Sequence, residues 1–254
     1  MKKLACIILL VLSPLIAFAQ AAPAAAAAAA PTAPKKNTLS TYRVWVKDGH
    51  SAAFKAAVAA HAQKYHTGNW KWRVNEVLTG PDGGAYQITE GPNSWTDIEG
   101  RGDLGAEHTK DYETNIMPHV EKSSPDSYVT YQESASTTAA ANWSNKSAIT
   151  HFYYKPGRGP ATLELLKSYK KSWEKQGVNV VVWSAYASGE PQYIGVRRFK
   201  NGFLDLDAGG PSMRKAFDDA NGEGAFDKAQ EELNRCIDHT VSEFIEFKPE
   251  LSSK

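Results

Sequence analysis

One order of elements occurs twice along this chain, and that repetition limits the fold more than any single residue does. Tyr42-Arg43-Val44-Trp45-Val46 alternates at period two and ends at Asp48-Gly49, after which Phe54, Ala57, Val58, His61 and Tyr65 recur at helical spacing. Gly68-Asn69 stops that helix. Trp70, Trp72, Val74 and Leu78 mark a second strand, and the turn cluster Thr79 to Gly84 leads to a third at Ala85 to Thr89. After Pro92 come a short segment through Trp95 and Ile98, a helix expected from Ala106 to Lys122, and a closing strand at Tyr128 to Glu133. The same β-α-β-β-α-β order then returns: strand Ile149 to Tyr154, turn Pro156-Gly157, helix Ala161 to Gln176, strands Val178 to Ala187 and Gln192 to Phe199, helix Ala225 to His239, strand Val241 to Phe247. Laid with Asp48-Gly49 on Pro156-Gly157, His61 falls on Tyr169, Tyr65 on Trp173, and Trp95-Thr96-Asp97-Ile98-Glu99 on Phe203-Leu204-Asp205-Leu206-Asp207.

What precedes the repeat reads as an export signal and a tether. Lys2 and Lys3 are followed by an apolar run to Phe18, and Ala17-Phe18-Ala19 presents small residues where a signal peptidase cuts, so residues 1–19 are expected to be removed. Ser13 and Pro14 break the run, which is well short of the roughly 20 residues that span a bilayer; no stable membrane span is expected after removal. Residues 20–38 are rich in Ala and Pro and have almost no large apolar side chain to offset the entropy of ordering, so they read as a disordered linker. The domain plan is then a first repeat over 39–134, a Ser/Thr/Ala/Asn-rich linker over 135–147, and a second repeat over 148–254. Export to the periplasm or the medium follows. Cys236 is the only cysteine left in the mature chain, so no internal disulfide forms and stability rests on apolar packing. A net charge of +1 with no basic block argues against nucleic acid as a partner.

The repeated order is the split βαβ arrangement, a four-stranded antiparallel sheet with two helices on one face. With the Trp-x-Asp-Ile-like segment after the third strand, it resembles the dimeric α+β barrel superfamily over roughly Leu39 to Leu251. The resemblance implies an α+β fold of two tandem ferredoxin-like units whose antiparallel sheets pack together as an internal dimeric α+β barrel, hence a monomer that is its own pseudo-dimer. That superfamily includes cofactor-free monooxygenases and haem-handling enzymes, and the chain carries no diagnostic catalytic motif from it.

Chemistry is sought where the alternation gathers polar and aromatic groups. Arg43 and Trp45 share one face of the first strand, and His151 and Tyr153 share the matching face in the second half; together they suit a planar or anionic small molecule, or fill a sheet interface. Trp72 and Glu76 share a face of the second strand. If that face lines a cavity, Glu76 is a buried carboxylate with a raised pKa, able to act as a base or hold a cation; otherwise it reaches solvent or an arginine such as Arg43. His61 and Tyr169 each sit on a helix stripe facing the sheet, either at a cavity rim or as core residues with a backbone partner. The ligand-binding set is therefore Arg43, Trp45, His61, Trp72, Glu76, His151, Tyr153 and Tyr169.

No cofactor and no metal is expected. His108, Tyr112, Asn115 and His119 share a helical face that a haem could use, but axial histidines have no spacing signature. His-Glu-x-x-His, G-x-S-x-G and a cysteine pair are absent, Asp205 to Gly210 lacks the Glu that closes a calcium loop, and Gly157-Arg158-Gly159 lacks the end of a phosphate loop. The leading expectation is an exported small-molecule-binding protein. Its rivals are a cofactor-independent monooxygenase-like enzyme and a surface interaction module using exposed aromatics; the residues alone do not separate enzyme from binder.

Overall fold

The computed structural model describes residues 33–185 and 187–254. The signal expected over residues 1–19 and most of the tether expected over 20–38 lie outside the described residues; the first strand begins at Thr38. Along the chain run β1 (Thr38–Val46), α1 (Ser51–Tyr65), β2 (Trp72–Val77), β3 (Tyr86–Asn93), α2 (Trp95–Glu99), α3 (Ala106–Asp111), β4 (Val120–Ser123) and β5 (Ser127–Tyr131). The second half supplies β6 (Lys146–Tyr154), α4 (Gly159–Lys175), β7 (Asn179–Ala185), β8 (Gln192–Arg198), α5 (Leu204–Asp207), α6 (Met213–Asn221), α7 (Ala225–Cys236) and β9 (Ile237–Phe247). Among the described residues no helix is long and apolar enough to cross a membrane.

Two helix ends differ from the sequence expectation. The helix expected to reach Lys122 leaves α geometry after Asp111, continues as a π turn over Tyr112–Ile116 and a 3₁₀ turn over Met117–His119, and gives way to β4. Pro118 has no N–H for the helical ladder, and the chain beyond it finds backbone partners on β1 instead, with Trp45 opposite Lys122. Likewise α7 stops at Cys236. His239, expected on the helix, stands in β9 opposite Tyr153, because β6 offers that stretch a ladder from Lys146 to Tyr154, with a bulge between Tyr153 and Tyr154.

Every strand pairing is antiparallel, in the order β3-β2-β9-β6-β8-β7-β5-β1, and a β1–β3 ladder closes the ring into an eight-stranded barrel with β4 as a ninth strand beside β1. The sheets of the two halves meet through their edges. Asn75 to Val77 of β2 pair with Ile245 to Phe247 of β9, and Thr130 and Tyr131 of β5 pair with Ser184 and Trp183 of β7. Alternation then sends one face of every strand inward and the other toward helices. Outside the first half, Val44, Val74, Tyr86 and Ile88 pack on Phe54, Val58 and Ala62 of α1. Each fully buried side chain of this kind contributes roughly 1.5–3 kcal/mol. Outside the second, Val180, Val182 and Tyr193 pack on Leu166 of α4, and Leu165, Phe217 and Ala229 tie α4 to α6 and α7.

The segment over 135–147 is docked onto this barrel. Thr137 donates its N–H to Val180 O (2.8 Å), Val182 N–H donates to Ser136 Oγ (2.8 Å), and Arg198 donates to the carbonyls of Ala139, Ala140 and Asn142.

Candidate functional site

The inward faces of the strands do not meet in a solid core. They enclose a cavity of about 310 Å³ lined by residues of both halves, among them Arg43, Arg73, Gln87, His151, Gln192 and Arg198 with the apolar Trp183, Ile194 and Val196. That volume lies at the small end of ligand pockets, and a few polar groups among rings and aliphatics is the usual composition of one.

At one part of the wall stands a buried carboxylate. Glu243 projects inward from β9, is 3% exposed, and receives both terminal nitrogens of Arg43, with Nη1 2.9 Å from Oε2 and Nη2 on Oε1. Arg43 also donates to Asp82 Oδ2 (2.6 Å) and Gln87 Oε1 (3.0 Å). His151 Nε2 lies 3.3 Å from Glu243 Oε1 and its Nδ1 lies 2.7 Å from Gln192 Oε1. Burial pushes the Glu243 carboxyl up, but the hydrogen bonds of His151 and Arg43 and the charge of Arg43 outweigh it and hold the group below the usual carboxylate range.

Elsewhere on the wall the charge is uncompensated. Arg73 lies with its guanidinium carbon 3.6 Å from the Phe247 ring centre and 4.9 Å from that of Trp143, and donates from Nη2 to Ser144 O at 2.6 Å. Arg198 lies 4.7 Å from the same Trp143 ring and spends its donors on the three carbonyls of the docked segment. Among the described residues no carboxylate pairs with either. Burial lowers both guanidinium pKa values to about 10, Arg198 also feeling the charge of Arg73. A guanidinium has five N–H donors, and Arg73 commits one of them to a protein acceptor here, so it retains donors for an anion.

The structure divides the eight residues expected to form the site. Arg43, His151 and Tyr153 line the cavity, Tyr153 stacking on His239 with ring centres 4.3 Å apart. Trp45 points inward but packs against Val77, Ala85, Ile149 and Ile245, with Lys122 Nζ 4.3 Å from its ring centre. The other four lie outside the barrel. Trp72 donates Nε1–H to Glu90 and stacks on His66. Glu76 meets Lys248 at 2.8 Å, so the idea that it faces a cavity is corrected: Lys248, shared with Glu246, neutralises it on the outer face. Tyr169 accepts from Gln230 Nε2 (2.8 Å) beside a second cavity of about 340 Å³ between the sheet and α4, α6 and α7. His61 faces Asp111, with Nδ1 2.7 Å from Oδ2.

The sequence held a signal for the carboxylate that was missed. Val241, Glu243, Ile245 and Phe247 alternate as Trp72, Val74 and Glu76 do, so the argument applied to Glu76 finds Glu243 one strand pairing away. Arg73 alternates out of the apolar face of β2, which marks it as inward once the apolar face is known to meet α1. Among the described residues, His61, His66 and His108 are the group whose ring nitrogens converge closely enough to hold a metal.

No protein-family model matches the chain, and no curated protein matches it. Solved structures do. A candidate monooxygenase from Fusobacterium nucleatum superposes with a TM-score of 0.53 at 14% identity, over 83% of this chain and 91% of that one. An anthrone oxidase-like protein gives 0.52 at 10% over 84% and 92%, and a candidate monooxygenase from Lactobacillus acidophilus gives 0.51 at 7% over 86% and 96%. The fold is the dimeric α+β barrel. Identities this low carry the dimeric α+β barrel fold alone, and the chemistry has to be argued from the residues in this barrel's own wall.

Proposed function

We propose that this chain is an exported small-molecule-binding protein whose barrel interior takes a planar anion, with Arg73 as the group that holds its charge. One observation carries the reading: a half-buried guanidinium in an aromatic-lined cavity, with donors to spare and no carboxylate partner among the described residues. Trp143 and Phe247 flank that guanidinium, and Trp183 and Tyr153 give the cavity further ring surface for a flat ligand. The barrel itself is read as two copies of one βαββαβ unit. The order around the ring supports this, being β2-β3-β1-β5 in one half and β7-β8-β6-β9 in the other, as does the contact from the first helix of each half to its last, His61 to Asp111 and Tyr169 to Gln230.

The test is a thermal-shift comparison of benzoate and salicylate with the neutral benzamide, on the wild-type mature chain and on Arg73→Met. The reading expects the carboxylates to raise the melting temperature and benzamide not to, with the rise lost in Arg73→Met. A charge-assisted hydrogen bond is worth about 1.5–3 kcal/mol, so the variant should bind the carboxylate roughly 10- to 150-fold more weakly. Equal shifts with amide and carboxylate, or none with either, would remove the proposal.

A second reading, a cofactor-independent monooxygenase-like enzyme, draws support from the names of the fold neighbours and from His151, whose Nε2 faces Glu243 and whose Nδ1 could take a proton from a phenolic substrate that displaces Gln192. Oxygen uptake with anthrone that disappears in His151→Ala would favour it. No uptake would leave binding as the function.

A further inference from the structure

Outside the barrel, on the face of the first sheet that α1 and α3 cover, three histidines meet. His61 lies on the buried stripe of α1, His66 caps the end of that helix, and His108 stands on α3. One ring nitrogen from each is within 4.8 Å of one from each of the others. His66 Nε2 and His108 Nε2 are 3.3 Å apart. Two histidines bound to one tetrahedral ion at about 2.0–2.1 Å hold their nitrogens roughly 3.3–3.4 Å apart, so this pair is already at the spacing a shared ion imposes.

The rings are oriented from behind by carboxylates. His61 Nδ1 lies 2.7 Å from Asp111 Oδ2, and His66 Nδ1 lies 2.9 Å from Glu90 Oε1. An ionised carboxylate only accepts, so each Nδ1 carries the ring's proton and each Nε2 is left as a bare lone pair. Glu90 is fixed in turn by Trp72 Nε1 (2.8 Å) and Arg101 Nη2 (2.9 Å). Carboxylates placed behind histidines in this way set tautomer and basicity in metal centres. Hydrogen bonding among the rings accounts for two of the three, since His108 Nε2–H can donate to His66 Nε2. It leaves out His61, whose Nε2 is buried without a partner among the described residues, although the residue is only 1% exposed.

We propose that His61, His66 and His108 bind a divalent transition-metal ion of the zinc class through their Nε2 atoms. Three imidazoles with no thiolate suit zinc, copper or nickel and are poor ligands for calcium or magnesium. Asp111 and Glu90 supply negative charge close behind the rings, against the cations Arg101 and Lys64. His108 is the partly exposed member, so the ion would reach the site from that side, and a fourth coordination position there is open to water.

The mature full-length chain, stripped with a chelator, is titrated with zinc by calorimetry and with cobalt by visible absorption. Expected are one equivalent of zinc, the intense absorption of four-coordinate cobalt, binding weakened at least 100-fold in His108→Ala, and binding weakened roughly 10- to 100-fold in Asp111→Asn, which keeps all three rings. His50 and His119 form an exposed pair with Nδ1 atoms 2.9 Å apart, and the double variant His50→Ala/His119→Ala should bind as wild type. Circular dichroism follows each variant; if His108→Ala does not fold, Asp111→Asn and the cobalt spectrum decide. Failure to bind zinc and cobalt stoichiometrically, undiminished affinity in the folded cluster variants, or loss of binding in the His50/His119 variant would overturn the site.

Discussion

Replacing Glu243 by Gln keeps the shape of the side chain and removes the one negative charge that Arg43 and His151 share inside the barrel. Breaking a buried ion pair by removing one partner costs about 3–5 kcal/mol. Arg43 keeps Asp82 at 2.6 Å, a partner whose side chain is 37% exposed, so the loss belongs at or just below the lower end, about 2–3 kcal/mol. For a chain of this size 1 kcal/mol moves the melting temperature by about 2–4 °C, which gives a fall of roughly 5–10 °C at pH 7. The effect has a pH signature. Because the folded carboxyl is held below its ordinary range, the wild-type advantage is complete near pH 7, where both folded and unfolded forms are ionised, and begins to fall as pH approaches the unfolded value of about 4.3. As pH falls further the unfolded chain takes up the proton first, and the advantage declines until the folded group is protonated too. Melting curves of wild type and Glu243→Gln, followed by calorimetry from pH 7 into acid, should therefore converge below about pH 4.3. A variant that melts within about 1 °C of wild type at pH 7, or a gap that stays constant into acid, would refute the reasoning.

Arg198→Met leaves three carbonyls of the docked segment without donors, so elastase should cut within residues 139–145 roughly tenfold faster than in wild type, measured by mass spectrometry of the early products. Gly80 has φ +86°, and a Cβ there would stand 3.0 Å from Ser242 O and 3.1 Å from Glu243 Cβ, whereas at Gly84 (φ +89°) nothing lies within 4 Å. Gly80→Ala should cost about 2–3 kcal/mol and Gly84→Ala about 1–2 kcal/mol in chemical unfolding, and equal costs would deny that the turn is pressed against the Glu243 strand. Expressed with its leader in a bacterial host, the mature chain should begin at Gln20 by amino-terminal sequencing; an intact Met1 would contradict the signal reading.

Much of the barrel was legible because period-two alternation survives in every long strand and because the turns carry Gly, Pro and Asp. Arg43 with Trp45, and His151 with Tyr153, could be set on one shared face on that basis. What alternation cannot give is which of two faces is the interior. Trp72 and Glu76 share a face with Val74, and the hydrophobic company suggested a cavity; the company is in fact α1 and the carboxyl-terminal Lys248, a contact between residues far apart in the chain. Glu243 carried the same pattern and points inward, onto Arg43 and His151 of the cavity wall. His66 gave no signal, since one histidine past a helix end is commonplace until the fold sets His108 beside it. Strand starts at Val120 and Ile237 were hidden by helical spacing that continues across them, and the ladder to β1 or β6 decided those boundaries.

A crystal structure of the chain grown with salicylate tests the central claim most directly. The account places the ligand's carboxylate inside the barrel within about 3 Å of the Arg73 guanidinium nitrogens. Salicylate bound between α4 and the outer face of the sheet, or a barrel interior closed by its own side chains, would contradict it.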